Sequence, residues 1–189
     1  MSVMSHDPTV LPEDLAVPVD DGAADHLVGL SVPAVALPAT SGGRVDLHDR
    51  GHGRRLVVFA YPRTGRPGVE PPTDWDTIPG ARGCTPEACS FRDLSEQFAA
   101  VDTDVYGLST QDADYQLEAA TRLHLPYALL SDAELRFTAA LRLPTLTVDG
   151  MTLLRRLTLV IKDGRVEHVI YPVFPPDQAA TDVLAILRR

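Results

Sequence analysis

The residues best suited to chemistry in this chain of 189 residues are its two cysteines, Cys84 and Cys89, in the stretch Gly-Cys-Thr-Pro-Glu-Ala-Cys. Thr85 is a good N-cap residue and Pro86 suits the first position of a helix, so the pattern predicts a helix that starts beside Cys84. Free backbone N–H groups and the positive end of the helix dipole favour thiolate over thiol at such a place. The stretch therefore predicts thiol redox chemistry.

The spacing of the two cysteines decides how they could pair. Apolar residues at helical intervals predict a helix that continues to about Ala100, which places Cys89 inside it. If Cys84 were helical as well, the two Cα atoms would be about 8.6 Å apart, whereas a disulfide tolerates at most about 7 Å. Disulfide formation would then require the first helical turn to unwind, and the change would be smaller if Cys84 lay outside the helix.

Two other uses of the cysteines receive less support from the sequence. Inert, buried cysteines are common, but Gly83 and Thr85 leave the backbone of Cys84 uncrowded, and Arg82 and Arg92 bring positive charge. A metal site is not expected, because two thiols are too few for zinc and the six histidines are scattered. No cofactor is predicted.

The elements that must position the cysteines alternate between strands and helices, which implies an α/β protein with a central, mixed but mostly parallel sheet flanked by helices. A hairpin across Asp163-Gly164 and an amphipathic helix at 177–187 complete the pattern of a thioredoxin-like fold. In that fold the cysteines follow a buried strand at its carboxyl end. Strands are predicted near 35–38, 45–47, 56–60, 104–109, 127–130, 156–161 and 166–173, and the other helices near 112–123 and 133–141.

Composition favours one domain and excludes several partners. The chain is 44% hydrophobic without an apolar stretch long enough for a membrane span, and residues 1–24 contain no signal-like apolar region. We therefore expect a flexible N-terminal arm at 1–26, packed on a neighbour or on the same domain, followed by a single domain at 27–189. No membrane partner is expected, and the cytoplasm is the default compartment. A net charge of −9 argues against a nucleic-acid partner.

The pattern around the cysteines extends beyond the motif itself. Tyr61-Pro62 follows the apolar run 56–60, and residues 83–93 read Gly-Cys-Thr-Pro-Glu-Ala-Cys-Ser-Phe-Arg-Asp. With the segments 129–132 and 156–161, this resembles the peroxiredoxins from about residue 27 to residue 187. The Cys-x4-Cys spacing resembles their peroxiredoxin Q, or bacterioferritin-comigratory-protein, branch.

The resemblance implies a role for each residue of the site. Cys84 would be the peroxidatic cysteine, which attacks hydrogen peroxide or an organic hydroperoxide and becomes a sulfenic acid. Cys89 would be the resolving cysteine, which condenses with that sulfenic acid to an intramolecular disulfide. Arg156 would lower the pKa of Cys84 and stabilise negative charge in the transition state. A thioredoxin-like protein would reduce the disulfide.

One part of the chain departs from the peroxiredoxin pattern Pro-x-x-x-Thr/Ser-x-x-Cys. Ala81 stands three positions before Cys84, and the matching Pro62 lies 22 residues upstream, so an inserted loop at about 63–80 divides the motif. Trp75, the only tryptophan, is expected to dock this loop or to cap the site.

The missing hydroxyl must come from elsewhere if it is needed to bind peroxide. Thr77 is the first candidate, since a turn at Pro79-Gly80 would bring it back toward Cys84. Glu87 is expected either to complement the helix dipole or to join the hydrogen bonding of the site. The further candidates for contact with substrate are Thr64, Thr85, Gly83 and Glu87.

Two other functions remain open at this stage. A thiol–disulfide reductase or redox sensor on the same fold would use the Cys84–Cys89 pair on proteins and react only slowly with peroxide. A non-catalytic binding module with a thioredoxin-like fold would use the divided loop to recognise a partner. Retention of a poised thiol together with Arg156 argues against the second of these.

Overall fold

A five-stranded mixed sheet lies at the centre of the structure, a computed structural model that describes residues 9–189. The strands are β1 (Ala36–Pro38), β2 (Arg44–Asp46), β3 (Arg55–Ala60), β4 (Thr103–Ser109), β5 (Leu129–Ser131), β6 (Thr145–Val148), β7 (Met151–Leu154), β8 (Leu157–Lys162) and β9 (Arg165–Ile170). The helices are α1 (Leu47–Arg50), α2 (Cys84–Asp93), α3 (Ser95–Ala99), α4 (Ala113–Arg122), α5 (Arg136–Leu141) and α6 (Ala179–Leu187), with short 3-10 turns at Trp75–Thr77 and Pro176–Gln178.

The central sheet has the strand order β5-β4-β3-β8-β9. Strands β3, β4 and β5 run parallel to one another, whereas β8 is antiparallel to both β3 and β9. Hairpins β1–β2 and β6–β7 lie outside this sheet. No helix within residues 9–189 is both long enough and apolar enough to cross a bilayer.

Strand β3 is covered on both faces, which explains why its sequence is a continuous apolar run rather than an alternating one. Its residues from Leu56 to Ala60 have no exposed surface. Leu56 and Val58 face a cluster that includes α5, and Val57 and Phe59 face a second cluster built from α2 and α6. The ring of Phe59 stacks on Phe91 of α2 with centroids 4.5 Å apart. The core therefore fixes α2, which carries both cysteines, against the central strand.

The predicted α/β fold with a C-terminal hairpin and helix is confirmed, but two local predictions are wrong and one hairpin was missed. The helix expected to run to about Ala100 is divided at Leu94, whose backbone leaves the helical conformation. Arg156 precedes strand β8 instead of belonging to it. Hairpin β6–β7 was not predicted, although its turn, Asp149-Gly150, is a strong hairpin signal.

The N-terminal segment 9–26 lies on the same domain. Ala24 is buried, and the His26 ring bonds the carbonyl of Leu141 at 2.9 Å. The Tyr171 hydroxyl donates to the Asp21 carboxylate at 2.9 Å. Residues 1–8 of the predicted arm lie outside the described part of the chain.

The inserted loop 63–80 is held on hairpin β6–β7. Trp75 is only 7% exposed and packs with Ala81, Val148 and Leu153. The backbone N–H of Thr73 donates to Asp149 in the hairpin turn at 3.0 Å. Of the two roles predicted for Trp75, the structure shows that it docks the inserted loop.

Candidate active site

Cys84 is the first residue of helix α2 and is 4% exposed. Gly83 is the N-cap, with a φ of 110° that favours glycine, and a Cβ at this position would lie 2.3 Å from Cγ of Pro176. The prediction that Thr85 caps the helix is therefore wrong. The helix begins two residues earlier because Gly83 makes the turn, and Pro86 is tolerated inside the first turn, where backbone N–H groups have no helical partner anyway.

Arg156, the residue directly before strand β8, contacts the sulfur of Cys84 with its side chain. Its Nη2 donates to Cys84 Sγ at 3.2 Å, and its side chain is almost completely buried. The same nitrogen lies 3.1 Å from the carbonyl of Ala81 and 3.2 Å from that of Arg82. The neighbouring Arg155 is half exposed and donates to the carbonyl of Thr145 instead. Arg156 thus binds both the thiol and the loop that leads to it.

Glu87, one turn further along α2, is fully buried and accepts a hydrogen bond from Nη1 of Arg156. Burial raises the pKa of Glu87 to about 7, although the charge and hydrogen bond of Arg156 oppose that shift. Its second oxygen, Oε1, has no hydrogen-bond partner in the described structure. Sequence reasoning offered two roles for Glu87, and the structure places it in the hydrogen bonding of the site.

Burial also dominates the acidity of Cys84. Loss of solvent raises the pKa of the Cys84 thiol above its ordinary value, the Arg156 charge opposes this, and the Glu87 carboxylate adds to it. Hydrogen bonds from Arg156 and from the backbone N–H of Arg63 also lower that pKa. The net direction is opposite to the one predicted from the helix start, because the sequence indicated the dipole and the arginine but not the depth of burial.

Thr77, the first candidate for the missing hydroxyl, is not directed at the sulfur of Cys84. Thr77 is exposed, and its hydroxyl donates to the Asp74 carbonyl at 2.9 Å within the inserted loop. Thr64 is buried, and its hydroxyl donates to Gln111 at 3.2 Å. The Arg63 N–H described above was not predicted, although the position of Tyr61-Pro62 directly after β3 is the signal that could have indicated it.

Both thiols are free, and Cys89 is half-buried in the second half of α2. Burial raises the pKa of Cys89, and the Arg92 charge opposes the shift. Because both cysteines are helical, regular geometry places their Cα atoms about 8.6 Å apart, beyond the reach of a disulfide. Pairing therefore requires part of α2 to unwind, the first of the two cases that the spacing allowed.

The chain is similar in sequence to known proteins. The Redoxin family model matches residues 27–187. A peroxiredoxin of fission yeast is 31% identical over 137 residues, and a chloroplastic peroxiredoxin Q of rice is 31% identical over 161 residues. These alignments cover 69% and 85% of this chain, and the chain spans 63% and 66% of the two relatives.

A solved structure extends the similarity to three dimensions. Peroxidoxin BcpB of Mycobacterium tuberculosis matches with a TM-score of 0.69 and 32% identity, over 86% of this chain and 97% of the other. The family match spans both cysteines and Arg156 as well as the whole central sheet. The chain therefore belongs to the redoxin family, within its peroxiredoxin Q or Bcp branch.

Proposed function

We propose that this protein is a thiol peroxidase that reduces hydrogen peroxide and organic hydroperoxides through Cys84 and Cys89. The observation that carries the proposal is the 3.2 Å contact between Arg156 Nη2 and Cys84 Sγ in a buried site. A guanidinium held there favours the thiolate and faces the atom at which a peroxide would react. The family to which the chain belongs supports the same activity.

In the first step, the Cys84 thiolate would attack the terminal oxygen of the hydroperoxide. An S–O bond forms and the O–O bond breaks, so the sulfur is oxidised to a sulfenic acid and the substrate leaves as water or an alcohol after taking up a proton. Arg156 would stabilise the charge that moves from sulfur to oxygen. Glu87 would hold the guanidinium through Nη1, which leaves Nη2 directed at the sulfur.

In the second step, the Cys89 thiol would attack the Cys84 sulfenic acid, with formation of the disulfide and release of water. The first turn of α2 must unwind for this bond to form. A thioredoxin-like dithiol would then reduce the disulfide by exchange and allow α2 to reform. We expect the cycle to run in the cytoplasm, whose thiol systems keep such reductants reduced.

Intact mass after one equivalent of hydrogen peroxide tests the proposal. The reduced protein should lose about 2 Da within seconds, Cys89→Ser should gain about 16 Da, and Cys84→Ser should not change. Unmodified wild-type protein after many minutes would reject peroxidase activity.

The burial and raised pKa of Cys84 favour one competing function, a redox sensor or thiol–disulfide reductase that reacts slowly with peroxide. The two functions differ in rate. A sensor would form the same disulfide over minutes, whereas a peroxidase would complete the reaction before hand mixing ends. Reduction of an added protein disulfide faster than of peroxide would identify the reductase.

A further inference from the structure

Besides Arg156, two segments outside the central sheet hold the short turn that leads into Cys84, residues 80–83. Arg82 pairs with Asp76 of the inserted loop, with Nη1 2.7 Å from Oδ2. The other end of its guanidinium, Nη2, donates to the carbonyl of Val10 in the N-terminal segment at 3.4 Å. The Arg82 side chain is only 12% exposed, whereas the Asp76 side chain is 48% exposed, so solvent reaches this ion pair from the Asp76 side.

The N-terminal segment also packs on the glycines of the turn. Cδ2 of Leu11 lies 3.2 Å from the position that a Cβ of Gly83 would occupy. Pro18 lies 3.6 Å from the corresponding position at Gly80. Together with the hydrogen bond to Val10, these contacts cover the turn from the residue that begins it to the N-cap of α2.

The Cys89 half of α2 has different anchors. The Tyr127 hydroxyl donates to the carbonyl of Ala88 at 2.6 Å, and Arg92 donates to the carbonyl of Leu123 at 2.9 Å. This half is therefore fixed to the segment between α4 and β5. The movement that brings the two sulfurs together must fall mainly on Cys84 and on the turn before it.

We propose that Arg82 is a positioning residue for the disulfide-forming step, held by the inserted loop and the N-terminal segment so that release of the turn limits the rate of disulfide formation. The inference rests on the proposed function, because it concerns the fate of the Cys84 sulfenic acid. That acid either condenses with Cys89 and releases water, or reacts with a second peroxide, which oxidises it to sulfinic acid and leaves as water or an alcohol. Slow release of the turn favours oxidation to the sulfinic acid at high peroxide concentration.

The experiment measures this partition in the full-length protein. Reduced protein is mixed with increasing hydrogen peroxide and quenched in acid, and intact mass separates the disulfide, about 2 Da lighter, from the sulfinic acid, about 32 Da heavier. The test variants are Asp76→Asn and Leu11→Ala. The matched controls are Asp74→Asn, an exposed acid in the same loop, and Val19→Ala, an exposed apolar residue in the same N-terminal segment.

Loss of the Asp76 ion pair should raise by about two- to fivefold the peroxide concentration at which disulfide and sulfinic acid form in equal amounts. Leu11→Ala should act in the same direction, and the controls should match wild type. In a Cys89→Ser background, Asp76→Asn should leave the rate of the first oxidation unchanged, which separates an effect on the turn from general damage to the site.

Two outcomes overturn the inference in different ways. If the wild-type protein forms the disulfide and both test variants partition as it does, the turn does not limit this step and the proposed function stands. If the wild-type protein shows no oxidation of Cys84, the proposed function is rejected, and the inference is rejected as well because it requires the Cys84 sulfenic acid.

Discussion

Glu87 competes with Cys84 for a single guanidinium group, because Arg156 donates to Glu87 through Nη1 and to Cys84 Sγ through Nη2. All three side chains are buried. One positive charge therefore faces two groups that can each carry a negative charge. Each anion raises the pKa of the other, so the site favours states in which only one of them is ionised.

Arg156→Gln should slow the reaction of Cys84 with hydrogen peroxide by about 10²- to 10³-fold, the usual cost of losing one donor that stabilises transition-state charge. Single-turnover kinetics in a Cys89→Ser background measure this directly. Arg155→Gln is the matched control and should retain the wild-type rate, since Arg155 is half exposed and bonds the carbonyl of Thr145. Arg156→Gln combined with Glu87→Gln leaves no unpaired buried charge, and an equal loss of rate there would exclude misfolding as the cause.

The stability of the reduced protein should fall as the pH rises from about 5 to about 7. The pKa of Glu87 is raised from 4.5 to about 7 in the folded state, so across this window the folded protein binds a proton that the unfolded chain has lost. The raised pKa of Glu87 therefore contributes at most about 3 kcal/mol to the free energy of unfolding, and this contribution is lost as the pH rises through the window. Urea unfolding at several pH values checks it.

Two variants isolate that contribution. Glu87→Gln should remove this part of the pH dependence. Glu118→Gln should not, because the pairing of Glu118 with Arg122 lowers its pKa and moves its titration below the window. Equal slopes in wild type and Glu87→Gln between pH 5 and 7 would contradict the assignment.

The thiol of Cys84 should become more acidic when the charge of Glu87 is removed. Above pH 7 Glu87 is ionised and raises the pKa of Cys84, so Glu87→Gln should shift the thiolate titration to lower pH. In a Cys89→Ser background Cys84 is the only thiol, and the ultraviolet absorbance of its thiolate follows the titration. An unchanged or higher midpoint in Glu87→Gln would show that the carboxylate and the sulfur do not interact.

Gly83→Ala should destabilise the protein by more than about 2 kcal/mol, because the new methyl group would overlap Pro176 and the left-handed backbone disfavours alanine. Gly65→Ala is a suitable control, since no atom lies within 4 Å of the position its Cβ would take. Urea unfolding of both variants measures the difference. If Gly83→Ala does not change the free energy of unfolding, Pro176 does not restrict the residue at the N-cap.

Thr77→Val should change the rate of peroxide reduction by less than about twofold, because the Thr77 hydroxyl is exposed and already donates to the Asp74 carbonyl. Rapid-mixing kinetics with hydrogen peroxide and with a bulkier organic hydroperoxide provide the check. A marked loss of rate with either substrate would indicate that the inserted loop rearranges and brings this hydroxyl to the sulfur.

The sequence predicted those features of the fold and site that depend on local pattern. The buried run 56–60 predicted the central strand, and Gly-Cys-Thr-Pro predicted a helix start beside the first cysteine, two residues later than the structure shows. Resemblance to a family indicated Arg156. Each of these signals lies within a few residues of the feature it predicts, or in a segment that resembles the family.

Features that depend on distant parts of the chain could not be predicted. The cap at Gly83 is fixed by Pro176, which lies 93 positions away, and the burial that controls the pKa of Cys84 results from the packing of several elements. The position of Thr77 depends on how Trp75 packs the inserted loop against hairpin β6–β7. That hairpin was not predicted either.

The packing of Trp75 also provides a fluorescent probe within the protein. Trp75 is the only tryptophan in the chain, and it packs against Ala81, in the turn that must move when the two sulfurs join. Any rearrangement of that turn changes the surroundings of a single indole, so its fluorescence reports on one place in the molecule. If Cys84 and Cys89 pair as proposed, we therefore expect the intrinsic emission of the protein to follow its redox state in real time, with no attached dye.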